Sequence, residues 1–398
     1  MNARRACRLA AGLALAALVS GCGSMPSWMP QSWSLPAPNL DWLTGRSSAG
    51  KPGPLPELTA TATAAVDWQA SIGKSRAGLS PAVLPDAIYA AALDGTLVRL
   101  DPATGRTQWR ASAGKPLSAG PGADATLVAV GTDKGEVLAF APDGKPLWTA
   151  RVSSEVISPP IVTEGTVIVV SGDGRIFGLG TTDGKTRWVI QRTNPPLTVR
   201  NSAGGVASRG GVFVGLAGGR LLALDPKTGA IGWEGAVATP KGATELERIA
   251  DVTSRPWLEE RQACAVAYQG RLACFDILRG TPTWTRDVSS LSGISGDGGL
   301  LYVIDDAGAV HALDKSTGAS LWKQDKLAAR RLAAGQLAGE FLVAIDVEGY
   351  VHLIATATGS YVGRLATDGS PPTSQPVALG PRVVWQSTAG TVFALSAR

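Results

Sequence analysis

A unit that opens on glycine, centres on an apolar pair and ends on tryptophan recurs about every forty residues along this chain. Its copies read DGTLVRLDPATGRTQW (94–109), KGEVLAFAPDGKPLW (134–148), DGRIFGLGTTDGKTRW (173–188), GGRLLALDPKTGAIGW (218–233), QGRLACFDILRGTPTW (269–284) and AGAVHALDKSTGASLW (307–322). Two weaker copies follow, EGYVHLIATATGSYVG (348–363) and the truncated AGTVFALSAR (389–398). The first glycines fall at 95, 135, 174, 219, 270, 308, 349 and 390, so the steps are 40, 39, 45, 51, 38, 41 and 41. A period of this length marks a repeat architecture, in which a unit buries its apolar face only against its neighbours.

The unit is built from strands. Apolar and polar residues alternate on either side of a glycine-bearing turn, the period of two that a half-buried strand requires. In the first copy Leu97, Val98 and Leu100 lead into Asp101-Pro102-Ala103-Thr104-Gly105. There Asp can bond back to the backbone, Pro presets φ and Gly accepts a positive φ. Five residues after each first glycine stands a large apolar side chain, from Leu100 and Phe140 to Ile354 and Leu395. Another apolar run precedes each first glycine, so a unit amounts to about four short strands, the size of a propeller blade. No helical period competes within 64–398. The eighth copy stops at Arg398 before its tryptophan strand, while an unattached one, AVDWQAS (64–70), stands at the start. The expected fold is therefore all-β: an eight-bladed propeller of four-stranded antiparallel blades over 64–398, its last blade closed by the N-terminal strand. Closure pairs the edge that the truncated eighth copy would otherwise leave open. A seven-bladed ring is the alternative.

The N-terminus belongs to a different class of sequence. Arg4, Arg5 and Arg8 precede the apolar run Leu9–Val19, which small residues and Cys22 follow. Residues 1–21 read as a secretory signal, too short and wrongly flanked for a stable membrane span. Val19-Ser20-Gly21-Cys22 resembles the lipobox of bacterial lipoproteins, in which the cysteine becomes the lipidated first residue. By that resemblance Cys22 carries the lipid, and Gly23 after it favours the outer membrane. An ordinary cleaved signal is the alternative. Residues 22–63, rich in Pro, Ser, Ala and Thr, read as a flexible tether. Its Trp28, Trp33 and Trp42 face two readings, membrane interface or ring. Losing the signal removes three of 37 basic side chains against 32 acidic ones, so the mature net charge is near +2. Lys and Arg form no stripe interleaved with aromatics, so nucleic acid is not an expected partner.

Little chemistry assembles. Cys264 and Cys274 stand symmetrically about Gln269 in an expected hairpin, where an oxidising periplasm permits either a disulfide or two buried thiols. His311 and His352 each lie three residues after a repeat glycine, a strand position filled elsewhere by Val98 or Leu222. That placement favours packing over a metal site, and no carboxylate or thiol stands at ligand spacing. No G-x-S-x-G elbow occurs, and the glycine pairs at 204–205, 210–211 and 218–219 flank strands and do not open a helix. No catalytic residue, metal or cofactor is expected.

The segment D-P-x-T-G-x-x-x-W, as in Asp101–Trp109 and Asp225–Trp233, resembles the tryptophan-docking repeat of pyrroloquinoline-quinone propellers. A quinoprotein dehydrogenase is one implied reading, but the adjacent cysteines and acidic Ca²⁺ cluster common in those enzymes are missing. A polysaccharide- or cell-wall-binding propeller is another, without an evident aromatic groove. Lipobox, short tether and eight such blades together resemble the lipoprotein propellers of the outer-membrane β-barrel assembly (Bam) machinery. That likeness implies a periplasm-facing, lipid-anchored, non-catalytic scaffold that binds the POTRA domains of BamA, alongside other Bam subunits, and aids barrel insertion. Unfolded outer-membrane proteins are a further implied partner, through strand addition at a blade edge. The two long steps, 45 and 51, insert residues around 191–205 and 239–260, and insertions in a rigid ring map to loops that carry binding. Pro196-Leu197-Thr198-Val199-Arg200 is similar to the family's L-x-L-R stretch, implying apolar contacts from Leu197 and Val199 and a polar anchor at Arg200. Residues 248–253 are similar to its R-x-x-D-V-D loop. Asp251 matches there and Thr253 replaces the second Asp, and the likeness implies that both meet the partner.

Overall fold

The computed structural model describes residues 52–199, 204–333 and 335–398. The signal at 1–21, Cys22, Trp28, Trp33, Trp42 and Arg200 lie outside the described residues. Within them the chain forms eight four-stranded antiparallel sheets, and the only helical element is a single 3-10 turn, Ala328–Arg330. The first blade contains Ala82–Val83, Ile88–Ala91, Thr96–Leu100 and Thr107–Ser112, in spatial order from the innermost strand outward. The same order repeats through the seventh blade. The eighth takes Val377–Leu379, Arg382–Gln386 and Thr391–Ala397 from the C-terminus and adds Ala64–Ser71 as its outermost strand. Eight blades, not seven, close the ring.

The buried side chains fall into eight clusters, one between each adjacent pair of blades. Strand alternation produces this directly. In the first blade Val98 and Leu100 face the eighth, whereas Leu97 faces the second. Each sheet is thus apolar on both faces, and the core is the set of seams.

A latch closes seven of those seams on the outside. Trp68, Trp109, Trp148, Trp188, Trp233, Trp284 and Trp322 each donate an indole N–H to a turn carbonyl of the following blade at 2.7–3.1 Å. Each indole also covers the turn glycine next to that carbonyl. A Cβ on Gly105 would lie 2.4 Å from Trp68, and one on Gly359 2.6 Å from Trp322. The glycine is therefore required twice, by its positive φ and by the ring lying on it. Asp101 holds the turn by accepting from the Ala103 and Thr104 N–H groups and the Thr104 hydroxyl. In the equivalent turn the Ser316 and Thr317 hydroxyls hold the Asp314 carboxyl at about 2. One feature escapes the sequence pattern. A bulge precedes each of these seven tryptophans: Arg99 opposes Trp109 but Leu100 opposes Thr107, so Gln108 is extra and the indole is re-aimed.

The seam between the seventh and eighth blades has no latching tryptophan among the described residues. Gly363 occupies that position, because residues 52–63 pass over it: Thr61 and Ala62 both donate to the Val362 carbonyl, and a Cβ on Gly363 would lie 2.8 Å from the Ala62 carbonyl oxygen. Further along, Gly53 donates to the Ala329 carbonyl and accepts from Arg330 at 2.6 Å, and Arg364 donates to the Pro56 carbonyl. This corrects the expected tether, since residues 52–63 form part of the ring's surface, held by backbone bonds that composition does not announce.

The histidines also differ from expectation. His311 and His352 bond to Asp305 and Asp346, at 2.7 and 2.9 Å, each six residues earlier across a tight turn. A carboxylate was therefore in reach, at a spacing that hairpin pairing creates. Asp346 is fully buried and also accepts from Arg330, which pairs with Glu348 as well. Burial pushes the Asp346 carboxyl up, but His352, the Tyr350 N–H and Arg330 outweigh it and hold the group below its ordinary value. Cys264 and Cys274 are directly opposed strand partners, joined by a disulfide with Cα atoms 4.1 Å apart.

Candidate functional site

In an antiparallel blade the turn between second and third strands shares a rim with the connection to the next blade. Both inserted loops therefore emerge on one rim. The first joins Thr186–Gln191 of the third blade to Gly205–Ser208 of the fourth; the second joins Ile231–Ala236 of the fourth to Trp257–Leu258 of the fifth.

Asp251 binds these loops together. It is 3% exposed. Its carboxylate accepts from the Val199 N–H at 2.6 Å and from the Gly218 N–H at 2.8 Å, while its carbonyl accepts from the Tyr268 N–H. One side chain thus ties the first loop, the second loop and the hairpin turn of the fourth blade. Thr253 is 4% exposed, its hydroxyl 3.5 Å from the Leu291 carbonyl. The expectation that Asp251 and Thr253 meet a partner is corrected: both face inward. A buried carboxylate needs donors, and the free N–H groups of an irregular loop supply them.

Among the side chains the rim presents outward are three leucines. Leu197 is 42% exposed, Leu246 66% and Leu291 40%, one on each of three successive inter-blade loops. Val199 is half-buried behind Leu197. Leu246 stands on a turn closed by reciprocal caps: the Thr244 hydroxyl accepts from the Glu247 N–H, and the Glu247 carboxylate accepts from the Ala243 and Thr244 N–H groups. Those backbone donors hold the Glu247 carboxyl below its ordinary value. Beside it Arg248 donates to the Gly242 carbonyl and pairs with Glu245 at 3.4 Å, leaving a cation at the edge of the apolar group. Leu246 and Leu291 were missed from sequence. The signal available was a lone leucine in a polar loop, which only exposure makes meaningful.

The arrangement suits docking better than chemistry. Among the described residues no three His, Cys, Asp or Glu side chains gather as a metal site. A cavity of about 230 Å³ beneath the clasp is lined by Val199, Val252 and Thr253 among others. Scattered exposed leucines are ordinary on a protein surface. Three stand on consecutive loops of one rim, two of them on the insertions.

Comparison with known proteins agrees with this picture. A family model for the outer membrane protein assembly factor BamB matches residues 93–324. The assembly factor BamB of Nitrosomonas eutropha is 45% identical over 331 residues, covering 83% of this chain and 81% of that protein. That of Bordetella pertussis is 41% identical over 349 residues, covering 87% and 90%. The crystal structure of BamB from Moraxella catarrhalis superposes with a TM-score of 0.78 at 26% identity, covering 84% of this chain and all of that one. A quinohemoprotein alcohol dehydrogenase from Comamonas testosteroni shares the fold alone, at 13% identity and a TM-score of 0.63. With 45% identity to one such factor over 83% of its length, the chain belongs to the family of outer membrane protein assembly factors BamB.

Proposed function

We propose that this protein is a lipid-anchored, periplasm-facing scaffold of the outer-membrane barrel assembly machinery, without catalysis of its own. Cys22 carries the anchor, and the rim formed by the two inserted loops docks on the POTRA domains of BamA. The observation that carries the reading is the presentation of Leu197 and Leu246 on loops locked by one buried carboxylate. Apolar side chains on a pre-ordered surface lose little entropy on binding, which is the condition for a compact binding hot spot. Arg200, next to Val199 in sequence, supplies the charged contact, since a guanidinium offers a rigid, planar set of donors.

Asp251 supports the interface from below and does not touch the partner. Other Bam subunits and unfolded barrel proteins meet the ring elsewhere, the latter by adding strands at blade edges.

The test is co-purification of BamA with the lipidated protein. Leu197→Ala combined with Leu246→Asp, and separately Arg200→Glu, should each reduce recovered BamA at least tenfold while the melting temperature stays within a few degrees. Full recovery of BamA with the three positions changed together would sink the docking assignment. A crosslinking scan along blade edges that traps no unfolded barrel protein would remove the client-binding part alone.

A further inference from the structure

On the axis of the ring lies a second cavity, of about 210 Å³, lined by residues from the innermost segments of six blades. By volume it has room for about seven water molecules. Its walls carry hydroxyls: Ser80, Thr253, Ser254, Ser292, Thr373 and Ser374. No carboxylate lines it. Arg255 does, projecting from the segment that leads into the fifth blade across to the first, where it donates to the Ser80 hydroxyl at 3.2 Å.

Arg255 is a cation without an anion. A guanidinium carries five N–H donors and keeps its charge in proteins. Here one donor has a protein acceptor and, among the described residues, no acidic group pairs with it. Burial works against its charge, pulling the group below its ordinary value with nothing offsetting it. The contrast within the same molecule is Arg330, more deeply buried, which two carboxylates and the Gly53 carbonyl satisfy. A hydrogen bond to one serine could be made by a neutral amide, so bridging two blades does not explain an arginine. Ser254 adds a second observation. It is 8% exposed, lies beside Arg255 in sequence, lines the same cavity, and its hydroxyl has no hydrogen-bond partner.

We propose that the axial cavity is a binding site for a small oxyanion, a carboxylate or phosphate group, with Arg255 as its counterion and Ser80 and Ser254 as neutral donors. An oxyanion between them would accept from the Arg255 N–H groups that lack a protein acceptor and from the orphan Ser254 hydroxyl at once, and would set a counter-charge beside the half-buried cation. Leu291 lies in its wall, but neither Leu197 nor Leu246 does, so the site is tested separately from the docking positions.

The experiment is isothermal titration calorimetry of the full mature protein with acetate, succinate and inorganic phosphate at constant ionic strength, with chloride as background. The expected result is saturable one-to-one binding of at least one oxyanion, and the ranking of carboxylate against phosphate identifies the class. Arg255→Gln should abolish saturable binding, Arg255→Lys should weaken it about tenfold, and Ser254→Ala should weaken it severalfold with the fold intact by circular dichroism. Should Arg255→Gln fail to fold, Arg255→Lys and Ser254→Ala carry the test. Absence of saturable binding for all three anions, or equal binding by wild type and the folded variants, overturns the proposal and leaves Arg255 a strut between opposite blades.

Discussion

Replacing Asp251 with alanine removes the acceptor of two backbone N–H groups, Val199 and Gly218, on two different loops. A hydrogen bond to a charged acceptor contributes about 1.5–3 kcal/mol, so the clasp as a whole is worth about 3 kcal/mol or more. The ring need not lose that amount. The inserted loops can lift into water, and local opening of a surface segment is cheaper than global unfolding. The expected signature is therefore local. Hydrogen exchange at the amides of Val199 and Gly218 should accelerate about a hundredfold, since each 1.4 kcal/mol is a factor of ten. Amides in the paired strands Val212–Leu216 and Arg220–Leu224 should change by less than twofold. BamA recovery should fall although Asp251 is buried, and adding Leu197→Ala to Asp251→Ala should cost little more, because a loop that is no longer ordered has already lost most of that contact. Unchanged exchange at Val199 would refute the clasp. Equal acceleration throughout the core would refute the claim that it acts locally, and full additivity with Leu197→Ala would refute the support role.

Three further outcomes follow from the packing. Arg330→Met should destabilise by about 3–5 kcal/mol at pH 7, because it strands the buried Asp346 carboxylate. That carboxyl lies below its ordinary value in the folded protein, so its contribution is present above the unfolded value of about 4 and is lost as pH falls through the folded one; in the variant the group protonates sooner, and the difference in urea stability from wild type should narrow below about pH 4. A constant difference down to pH 3 would contradict this. Gly359→Ala, with φ +71° and Trp322 atoms at 2.6 Å, should cost about 2–3 kcal/mol, whereas Gly339→Ala, with φ +59° and nothing within 4 Å, should cost about 1 kcal/mol; equal melting shifts would contradict the latch. Titration of the unreduced mature protein under denaturing conditions should find no free sulfhydryl, and converting both Cys264 and Cys274 to alanine should cost about 2–4 kcal/mol; two titratable thiols would contradict the bridge.

The ring and its closure were legible because they rest on local periodicities. A strand shows its period of two within five residues, and an Asp-x-x-x-Gly turn completes its hydrogen bonds within four. The tryptophans were visible as a repeat, yet their work was not, since each indole bonds a carbonyl 31–44 residues away. The decayed seventh copy makes the same point. Gly363 reads as a lost tryptophan, and the reason is residue 62, brought over it by a strap from the far end of the chain.

The two inserted loops could be located from the lengths of the repeat steps, and the structure brings them together as the family resemblance implied. Which of their residues face out could not be read. Asp251 and Val199 are 52 positions apart, and Arg255 meets a serine 175 positions away. No pattern within either loop encodes such a pairing, because an irregular segment has no period to assign its faces. The chain's own sequence determined eight blades, their order and their turns, through interactions that close within one unit. Tertiary structure alone decided that Asp251 is a clasp, that Leu246 joins Leu197 at the surface, and that a lone arginine spans the axis. Those facts depend on burial and counter-charge, which exist only once distant segments have met.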